Sequence, residues 1–347
     1  MKAAVYRGPG KLAVEDVPTP ACPADGVLLR VEACGVCGSD LRTYTSGIRF
    51  DREWQILGHE IAGVVTEVGA NVSDYTVGDR LAIAADVHCH ACHYCRNALY
   101  NLCENWKVIG GHFPGGMAEY FAMDAEILRH GIVHRTPDGL SSVEASVAEP
   151  ASSVLASHEF VRVRPGELVV ILGGGPMGCL HVQVARLRGA QPVLADVAAS
   201  RLDLARGMGA VALIDSSAAD LDAEVKALTH GRGADVVITA CPAKQAQTQA
   251  VEIVAKRGRV VLFGGLPKKD PMTPLDANRI HYNEISVVGA FSYHPDMHAL
   301  ALDLMSRGDI RAGDIVTSTY PLSGVVDAFE AARSGTQLKV VLEPTKE

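Results

Sequence analysis

The spacing of apolar residues changes partway along the chain, and this change predicts two domains of different architecture. Up to about residue 150, short apolar segments are separated by Gly and Pro, a pattern typical of strands and turns. Residues 26–31 and 61–68 are two examples. This part of the chain is predicted to form a compact, irregular β domain.

From about residue 165, continuous apolar runs alternate with segments of helical periodicity, which is typical of βαβ units. The predicted strands lie at residues 168–172, 193–195, 211–214, 236–238, 260–263 and 285–288. Helical segments between them carry one apolar face, formed by Leu180, Val184 and Leu187 in the first and by Leu221, Val225 and Leu228 in the second. Six buried strands with intervening helices predict an α/β fold with a doubly wound parallel sheet.

Beyond about residue 290, further helical stretches and a closing apolar strand at residues 339–342 follow. We expect this last part of the chain to return to the first domain. The predicted division is therefore one domain from residues 1–152 and 291–347, and a second domain from residues 153–290.

The composition is that of an ordinary globular protein, because 48% of the 347 residues are hydrophobic and 21% are charged. No apolar run approaches the roughly 18 residues of a membrane span. A net charge of -8 without a basic block argues against nucleic-acid binding, which needs clustered Lys and Arg. The first residues lack the apolar core of a secretory leader, so we expect a cytoplasmic protein.

Four cysteines form the strongest local signal, a C-x2-C-x2-C-x7-C run made of Cys89, Cys92, Cys95 and Cys103. This spacing suits a closed tetrahedral zinc site, which would hold a lobe at about residues 86–106 together but leave no position for a substrate. The alternative is a redox-active or disulfide-bonded loop. The neighbouring histidines, His88, His90 and His93, are predicted to be surface residues because four thiolates already complete the zinc shell.

A glycine-rich turn between the first predicted strand and helix of the second domain matches the pattern GxGxxG. Its residues are Gly173, Gly174, Gly175, Pro176, Met177 and Gly178. A second strand then ends at Asp196, which completes the sequence context of a dinucleotide site. Such glycines let the backbone approach a pyrophosphate, and the acidic residue can bind the adenosine ribose.

Asp196 also predicts the choice of cofactor. Its carboxylate would repel the 2′-phosphate of NADP, so NAD is favoured. Arg201 follows five positions later, where it could stack on adenine, and its positive charge weakens this preference. The alternative for the whole motif is a glycine turn that only permits close strand–helix packing.

Three further segments contain residues that could bind a metal ion: Cys37 with Ser39 and Asp40, His59 with Glu60, and Glu149 before Pro150. Each alone is more often a packing residue than a ligand. Together with the cysteine lobe and the glycine motif, they make the chain resemble the zinc-dependent medium-chain dehydrogenases, in the branch of sorbitol (L-iditol) and related polyol dehydrogenases. The resemblance covers the full length, including residues 115–120 and 339–342.

This resemblance implies a GroES-like β domain, a Rossmann domain, NAD and two zinc ions per chain. It implies that Cys37, His59 and Glu149 hold a catalytic zinc, that Glu60 is an intermittent or fourth ligand, and that Ser39 hydrogen-bonds the reacting alcohol. Neighbouring residues on an extended segment point to opposite faces, so His59 and Glu60 are not expected to serve easily as permanent ligands together.

The chain departs from the sorbitol dehydrogenases at two positions. Arg42 stands where those enzymes usually have a histidine, and a guanidinium cannot act as a base. It is predicted either to contact an anionic group of the substrate or to pair with Asp40 or Asp51 at the surface. Ser292, between Phe291 and Tyr293, replaces an arginine that those enzymes often place near the substrate.

These features predict an enzyme that transfers hydride from a secondary alcohol of a polyol or cyclitol to NAD and produces a ketone. The alternatives are L-threonine 3-dehydrogenase, butanediol dehydrogenase and sugar-phosphate dehydrogenase activities. A non-catalytic descendant of the family and a zinc-free quinone or enone reductase are less consistent with two metal sites. The expected partner is a small alcohol, and the resemblance suggests a homotetramer or a homodimer.

Overall fold

The computed structural model describes residues 1–47 and 53–346. Two compact units account for these residues. The first consists of Met1–Ser152 together with Tyr293–Glu347, and the second is Ser153–Ser292. The sequence placed the corresponding boundaries after residues 152 and 290.

Both units combine helices with strands. The strands of the described ranges are β1 Lys2–Tyr6, β2 Leu12–Asp16, β3 Val27–Gly35, β4 Gln55–Ile56, β5 Glu60–Val68, β6 Arg80–Val87, β7 Lys107–Val108, β8 Tyr120–Met123, β9 Gly131–Arg135, β10 Leu168–Leu172, β11 Gln191–Asp196, β12 Ala212–Asp215, β13 Ala234–Thr239, β14 Val254–Leu262, β15 Ser286–Gly289, β16 Val316–Pro321 and β17 Lys339–Glu343. The α-helices are α1 Gly38–Ser46, α2 His93–Arg96, α3 Ala125–His130, α4 Ser142–Ala145, α5 Ala148–Phe160, α6 Pro176–Leu187, α7 Ala199–Leu204, α8 Leu221–Leu228, α9 Lys244–Ile253, α10 Ala277–Tyr282, α11 Pro295–Ser306, α12 Ala312–Ile315 and α13 Val325–Ser334.

The first unit is built on a mainly antiparallel sheet whose strand order is β16-β17-β3-β5-β6-β7, with β8 also paired to β3 and β9 to β6. In this sheet Gly35 of β3 lies opposite Glu60 of β5 and opposite Val341 of β17. The chain leaves β3 two residues before Cys37. The sheet register therefore brings the end of β3 and the start of β5 together beside the middle of β17.

The second unit contains a six-stranded parallel sheet of order β12-β11-β10-β13-β14-β15. All five residues of β10 are buried, as expected for a central strand covered by helices on both faces. The strand order reverses at β10, and in open α/β sheets ligands bind beyond the carboxyl ends of strands at such a reversal. This confirms the predicted doubly wound fold and places the glycine motif at its reversal point.

The sequence pattern overestimated the buried faces of two helices. Leu187 is the last residue of α6 and is 39% exposed, and Leu228 is the last residue of α8 and is 45% exposed. The periodicity of apolar residues gives the direction of each side chain, but it does not show where the neighbouring sheet ends. The last turn of each helix therefore extends beyond the sheet that covers the rest of the helix. None of the helices in the described ranges is long and apolar enough to span a membrane.

Candidate functional site

Cys37, His59 and Glu60 form a cluster in the first unit, and we call it the mixed-ligand cluster. One ligand atom of each residue lies within 4.8 Å of the others. A thiolate, an imidazole and a carboxylate are the donor types that bind zinc in catalytic sites. The described residues of this cluster therefore fit a zinc ion.

The expectation that His59 and Glu60 face apart is wrong for their ligand atoms, which share this cluster. Alternation of side chains requires a regular extended backbone. Here β5 begins only at Glu60, and Gly58 has a φ of 94°, so the chain turns immediately before the pair. A side chain at position 58 would also meet the Cys34 sulfur and the Met117 side chain.

Asp40 orients the imidazole of His59 from the first turn of α1. Its Oδ1 lies 3.6 Å from His59 Nδ1, and its Oδ2 accepts a 2.9 Å hydrogen bond from the Cys37 backbone N–H. On the other side of the ring, Ser39 Oγ lies 3.4 Å from Nε2. A carboxylate on one ring nitrogen leaves the other directed toward a metal ion.

The electrostatic environment of the imidazole favours a positive charge. Burial lowers the pKa of His59, but the negative charge of Asp40 and the nearby Cys37 outweigh this effect and raise the pKa well above its ordinary value. Burial also raises the pKa of Asp40, although His59 and the Cys37 N–H act in the opposite direction. A cation is therefore stabilised at this position, whether it is a proton or a metal ion.

Glu60 has one oxygen that is engaged and one that is not. Its Oε1 accepts a 2.6 Å ion-paired hydrogen bond from Lys339 Nζ, which also donates to the Val36 carbonyl at 3.2 Å. The Oε2 atom is buried and has no hydrogen-bond partner within the described residues. An orphaned carboxylate oxygen beside a thiolate and an imidazole is further support for a metal ion at the cluster.

Lys339 is a partner of the cluster that the sequence pattern does not indicate, since the pattern identifies it only as the first position of a closing strand. Burial lowers the pKa of Lys339, and the Glu60 carboxylate outweighs that effect and raises it. The available signal was a lysine at the start of the apolar run at residues 339–342. A buried lysine requires an acidic partner.

Glu149 is buried near the mixed-ligand cluster but is not one of the three groups that lie within 4.8 Å of one another. Its Oε1 accepts a 2.6 Å hydrogen bond from the Tyr293 hydroxyl, and that hydroxyl accepts a 3.1 Å bond from the Ala85 N–H. Burial raises the pKa of Glu149 to about 7, and the nearby His59 acts in the opposite direction. The role of Glu149 as a zinc ligand stays a prediction, and Tyr293 is a partner that the sequence did not indicate.

Arg42 is exposed on α1. The predicted pairing with Asp40 is wrong, because the oxygens of that buried carboxylate face His59 and the Cys37 N–H. The other predicted partner, Asp51, lies outside the described residues. A contact between Arg42 and an anionic substrate stays a prediction.

The sulfur atoms of Cys89, Cys92, Cys95 and Cys103 all lie within 4.8 Å of one another. Backbone N–H groups point at three of the sulfurs: Cys92 N–H to Cys89 at 3.3 Å, Cys95 N–H to Cys92 at 3.5 Å, and Cys89 N–H to Cys103 at 3.3 Å. The N–H groups of Ala91 and Cys92 lower the pKa of Cys89 to about 5. Burial instead raises the pKa of Cys95 to about 12. This donor set fits a closed zinc site of four thiolates.

The three histidines of this cysteine lobe do not share one environment. His90 and His93 are exposed, as predicted. The expectation of a surface position is wrong for His88, which is only 1% exposed. The reason is that β6 ends at Val87, and its direction carries His88 under the lobe, where the His88 backbone N–H donates to the His130 carbonyl.

The glycine motif connects β10 to α6, and its backbone approaches other atoms too closely for side chains. Gly173 has a φ of 118°, and a Cβ at Gly178 would lie 1.8 Å from the Gly173 oxygen. Gly175 is the N-cap of α6 and Pro176 follows it. The result is a bare helix N-terminus that suits a phosphate group.

Asp196 ends β11 beside this turn. It accepts hydrogen bonds from the Gly174 N–H at 2.6 Å and from the Ala198 N–H at 2.8 Å. Arg201 also lies beside the turn, since a Cβ on Gly175 would be 3.0 Å from its Nη1. An acidic and a basic group therefore both border the predicted cofactor site, together with the backbone cradle that a dinucleotide requires.

Two family models match the chain, one within its first unit and one that covers most of the second unit and continues into the first. Residues 23–134 match the alcohol dehydrogenase GroES-like domain, and residues 176–307 match the zinc-binding dehydrogenase domain. Together the two matches include Cys37, His59, the four cysteines, Asp196 and the last three residues of the glycine motif.

Similar proteins align along nearly the whole chain. A D-arabitol-phosphate dehydrogenase of Enterococcus avium and a sorbitol dehydrogenase of Bacillus subtilis are each 33% identical over 353 residues, which cover 100% of this chain and 98% of the relative. A solved structure of a zinc-binding dehydrogenase from Sinorhizobium meliloti, bound to NADP, has a TM-score of 0.89 at 30% identity and covers 99% of both chains.

Proposed function

Because the chain belongs to the zinc-dependent medium-chain dehydrogenases, in their polyol branch, we propose that it oxidises a secondary alcohol of a polyol or cyclitol to a ketone with NAD. The observation that carries this proposal is the mixed-ligand cluster of Cys37, His59 and Glu60, with its orphaned carboxylate oxygen. A family descendant without catalytic activity would have no need to keep these groups together.

Zinc bound in such a site is a Lewis acid that lowers the pKa of an alcohol. Cys37, His59 and Glu149 are the proposed ligands, and Glu60 is the intermittent one. Lys339 holds one oxygen of Glu60 through a buried ion pair, so the lysine competes with a metal ion for this carboxylate. Asp40 keeps the imidazole of His59 in position.

Ser39 is the proposed first acceptor of the substrate proton. Its hydroxyl lies 3.4 Å from His59 Nε2, so it can reach an alcohol that is bound at the mixed-ligand cluster. A hydroxyl both accepts and donates a hydrogen bond, so Ser39 can take the substrate proton while it releases its own proton to solvent water, to which it is exposed. Arg42 cannot replace it as a base because its guanidinium stays protonated.

The proposed substrate class rests on the similar proteins and on the polar character of the cluster. One relative is named for sorbitol and another for D-arabitol phosphate. A site with Ser39, Glu60 and Glu149 is suited to a substrate whose further hydroxyls replace lost water hydrogen bonds.

A substrate panel tests this proposal. We expect kcat/KM for at least one polyol or cyclitol to exceed that for ethanol and 2-propanol by about 100-fold, since one satisfied polar contact contributes about 1–3 kcal/mol and several are formed. The measurement is NADH formation with polyols, cyclitols, L-threonine, 2,3-butanediol and sugar-alcohol phosphates. Faster oxidation of simple alcohols than of every polyol would refute the substrate class.

The same panel examines Arg42. If its guanidinium binds a substrate phosphate, Arg42→Ala lowers kcat/KM for a polyol phosphate and leaves the free polyol unchanged. Arg42→Lys is the matched variant that keeps the charge and loses the planar fork. Equal losses for phosphate and free polyol would instead assign Arg42 to a structural role.

We propose NAD as the preferred cofactor because Asp196 places a carboxylate beside the glycine turn. The preference needs a direct test, since Arg201 borders the same turn and a similar dehydrogenase was solved with NADP bound. Asp196→Ala should weaken NAD binding and relax discrimination against NADP by about 1–3 kcal/mol, the usual effect of a lost buried hydrogen bond. The measurement is the ratio of kcat/KM for the two cofactors.

Asp196→Asn is the matched control for this experiment. It keeps one hydrogen-bond acceptor for the glycine turn but removes the negative charge. Comparison with Asp196→Ala therefore separates repulsion of the NADP 2′-phosphate from loosening of the turn. A parent enzyme that already prefers NADP would contradict the assignment of Asp196.

We further propose that the enzyme is a cytoplasmic homo-oligomer, either a tetramer or a dimer. The proposed compartment is supported by the nine cysteines of the chain, all of which are free thiols in this structure. Free cysteines and thiolate zinc sites are typical of reducing compartments. Sedimentation of the zinc-loaded protein measures the assembly directly.

A further inference from the structure

We propose that His158 and His181 form an acid-sensitive latch inside the second unit, which fastens α5 to α6 only while both imidazole rings are neutral. Neither residue belongs to a metal cluster or to the glycine turn, and the latch does not depend on the dehydrogenase reaction. Because α6 begins at the glycine turn, opening of the latch in acid loosens the segment that suits a phosphate group.

The two rings are in direct contact and closed off from solvent. His158 lies in the last turn of α5 and His181 in the middle of α6, and both residues are 0% exposed. His158 Nε2 lies 3.0 Å from His181 Nδ1, which is a hydrogen-bond distance. The Phe263 ring packs against the His181 ring at nearly a right angle, with 4.5 Å between the ring centroids. One polar contact in apolar surroundings therefore joins the two helices.

The outer nitrogens of this pair have no hydrogen-bond partner. His158 Nδ1 and His181 Nε2 are buried and unpaired within the described chain. In a neutral pair one ring donates an N–H and the other accepts it, so a single proton lies between the two inner nitrogens. The hydrogen bond between the helices is therefore complete with this one proton, and a further proton finds no acceptor.

This geometry opposes protonation of either ring. An imidazolium carries an N–H on both nitrogens, so one added proton creates an outer N–H without an acceptor and a buried positive charge. A second added proton places two N–H groups against each other and removes the hydrogen bond between the helices. Because a buried charge without a partner is strongly unfavourable, protons enter the pair only when the helices separate and water reaches the rings.

The charges on the two helices do not offset a positive ring. Arg188 follows the last residue of α6, and its positive charge lowers the pKa of His158 in addition to the effects of burial and of His181. Glu159, the neighbour of His158 on α5, forms an ion pair with Arg188 at 2.8 Å, and its side chain is mostly exposed. This carboxylate is therefore directed at Arg188 and not at the ring pair.

The charged groups of the neighbouring elements have other partners. Helix α6 packs on β10 and β11, and all residues of β10 are apolar. The acidic residue of β11, Asp196, accepts two backbone N–H groups at its own end of the strand. Just beyond α5, Arg259 donates to two backbone carbonyls and pairs with Glu167 at 2.5 Å. These groups therefore leave a positive ring uncompensated.

The pKa values of the two rings give the direction of the pH effect. Burial lowers the pKa of His181 to about 3, and the pKa of His158 lies well below its ordinary value of 6.5. In the opened state both rings regain ordinary pKa values, so below about pH 6.5 that state binds more protons than the closed one. The latch therefore contributes its full stability above this pH and loses it progressively as the solution becomes more acidic.

Hydrogen exchange of the zinc-loaded protein, resolved by peptide, tests the proposal. The measured quantity is the opening constant of the α5 and α6 peptides, which is the observed exchange rate divided by the intrinsic rate. Between about pH 7.5 and about pH 5.5 we expect this constant to rise about 100-fold more in the parent than in the double variant His158→Gln/His181→Gln, tenfold for each histidine. Glutamine keeps a donor and an acceptor but takes up no proton in this range. His281→Gln is the matched control, because His281 is an exposed histidine of α10 in the same unit, and it should behave as the parent.

Nuclear magnetic resonance of the parent observes the rings themselves and decides the question even if the double variant fails to fold. With nitrogen-15 in the histidines, the His158 and His181 rings should keep the shifts of neutral imidazole down to about pH 5. Contacts with the Phe263 ring identify the His181 signals. Titration of both rings near about pH 6.5 in the folded protein, an equal pH dependence of opening in the double variant, or loss of that dependence in His281→Gln would overturn the proposal.

Discussion

Cys37→Ala and His59→Ala should each abolish turnover while the protein stays folded. Both residues belong to the mixed-ligand cluster, and removing one ligand leaves too few groups to retain a zinc ion in an active geometry. Loss of a Lewis acid that supplies several kcal/mol of transition-state stabilisation corresponds to a decrease in kcat/KM of about 1,000-fold or more. Steady-state kinetics, zinc content and circular dichroism are the three measurements.

Cys22→Ala is the matched control for this prediction. Cys22 is a half-buried free cysteine of the same unit that belongs to neither metal cluster, so its replacement should leave zinc content and turnover unchanged. Fully active enzyme containing one zinc per chain would contradict the assignment of two separate metal sites. Normal turnover by Cys37→Ala would exclude the mixed-ligand cluster from catalysis.

Cys92→Ser and Cys103→Ser should each cause a large loss of stability and keep part of the turnover. This is the reverse of the result expected for Cys37→Ala and His59→Ala. Three of the four lobe cysteines are buried and form a small cluster with the half-buried Tyr94, Tyr100 and Trp106, so little other apolar packing holds the lobe. Structural zinc contributes about 10–16 kcal/mol of binding free energy in small zinc domains. We expect a decrease in Tm of roughly 10 °C, which corresponds to about 3 kcal/mol for a domain of this size, together with loss of one zinc.

Thermal unfolding and metal analysis check this result, with turnover measured at low temperature as the accompanying assay. A variant that remains folded there should keep part of its activity, since a closed four-thiolate site offers no position to a substrate. Complete loss of turnover in a variant with unchanged Tm would contradict a purely structural role. Unchanged Tm with full activity would show that the lobe does not need its metal ion.

The cofactor turn and the cysteine lobe could be predicted because each depends on local backbone geometry. Cys89 to Cys103 span fifteen residues, so their spacing alone limits how the sulfurs can meet. Gly173 and Gly178 are required by a positive φ and a close approach within one short turn. Burial was less predictable even nearby, because His88 lies under the lobe while His90 and His93 are exposed.

The supports of the mixed-ligand cluster could not be predicted, because they come from distant parts of the chain. Lys339 reaches Glu60 across 279 positions, and Tyr293 reaches Glu149 across 144. Nothing in the residues around Lys339 specifies that β17 lies beside β3. Only sheet register brings those atoms within hydrogen-bond distance.

The sequence by itself determined the βαβ architecture, the glycine turn with Asp196 and the four-thiolate spacing, since apolar period and local turn geometry operate over a few residues. The resemblance added Cys37, His59 and Glu149 as the implied catalytic ligands. Tertiary structure alone decided that His59 and Glu60 share a cluster and that Lys339 engages one oxygen of Glu60. It also decided that the Asp40 carboxylate faces the imidazole of His59 and not the guanidinium of Arg42. The physical reason is that partners for buried charges are chosen by packing and strand register, which the local pattern of residues does not contain.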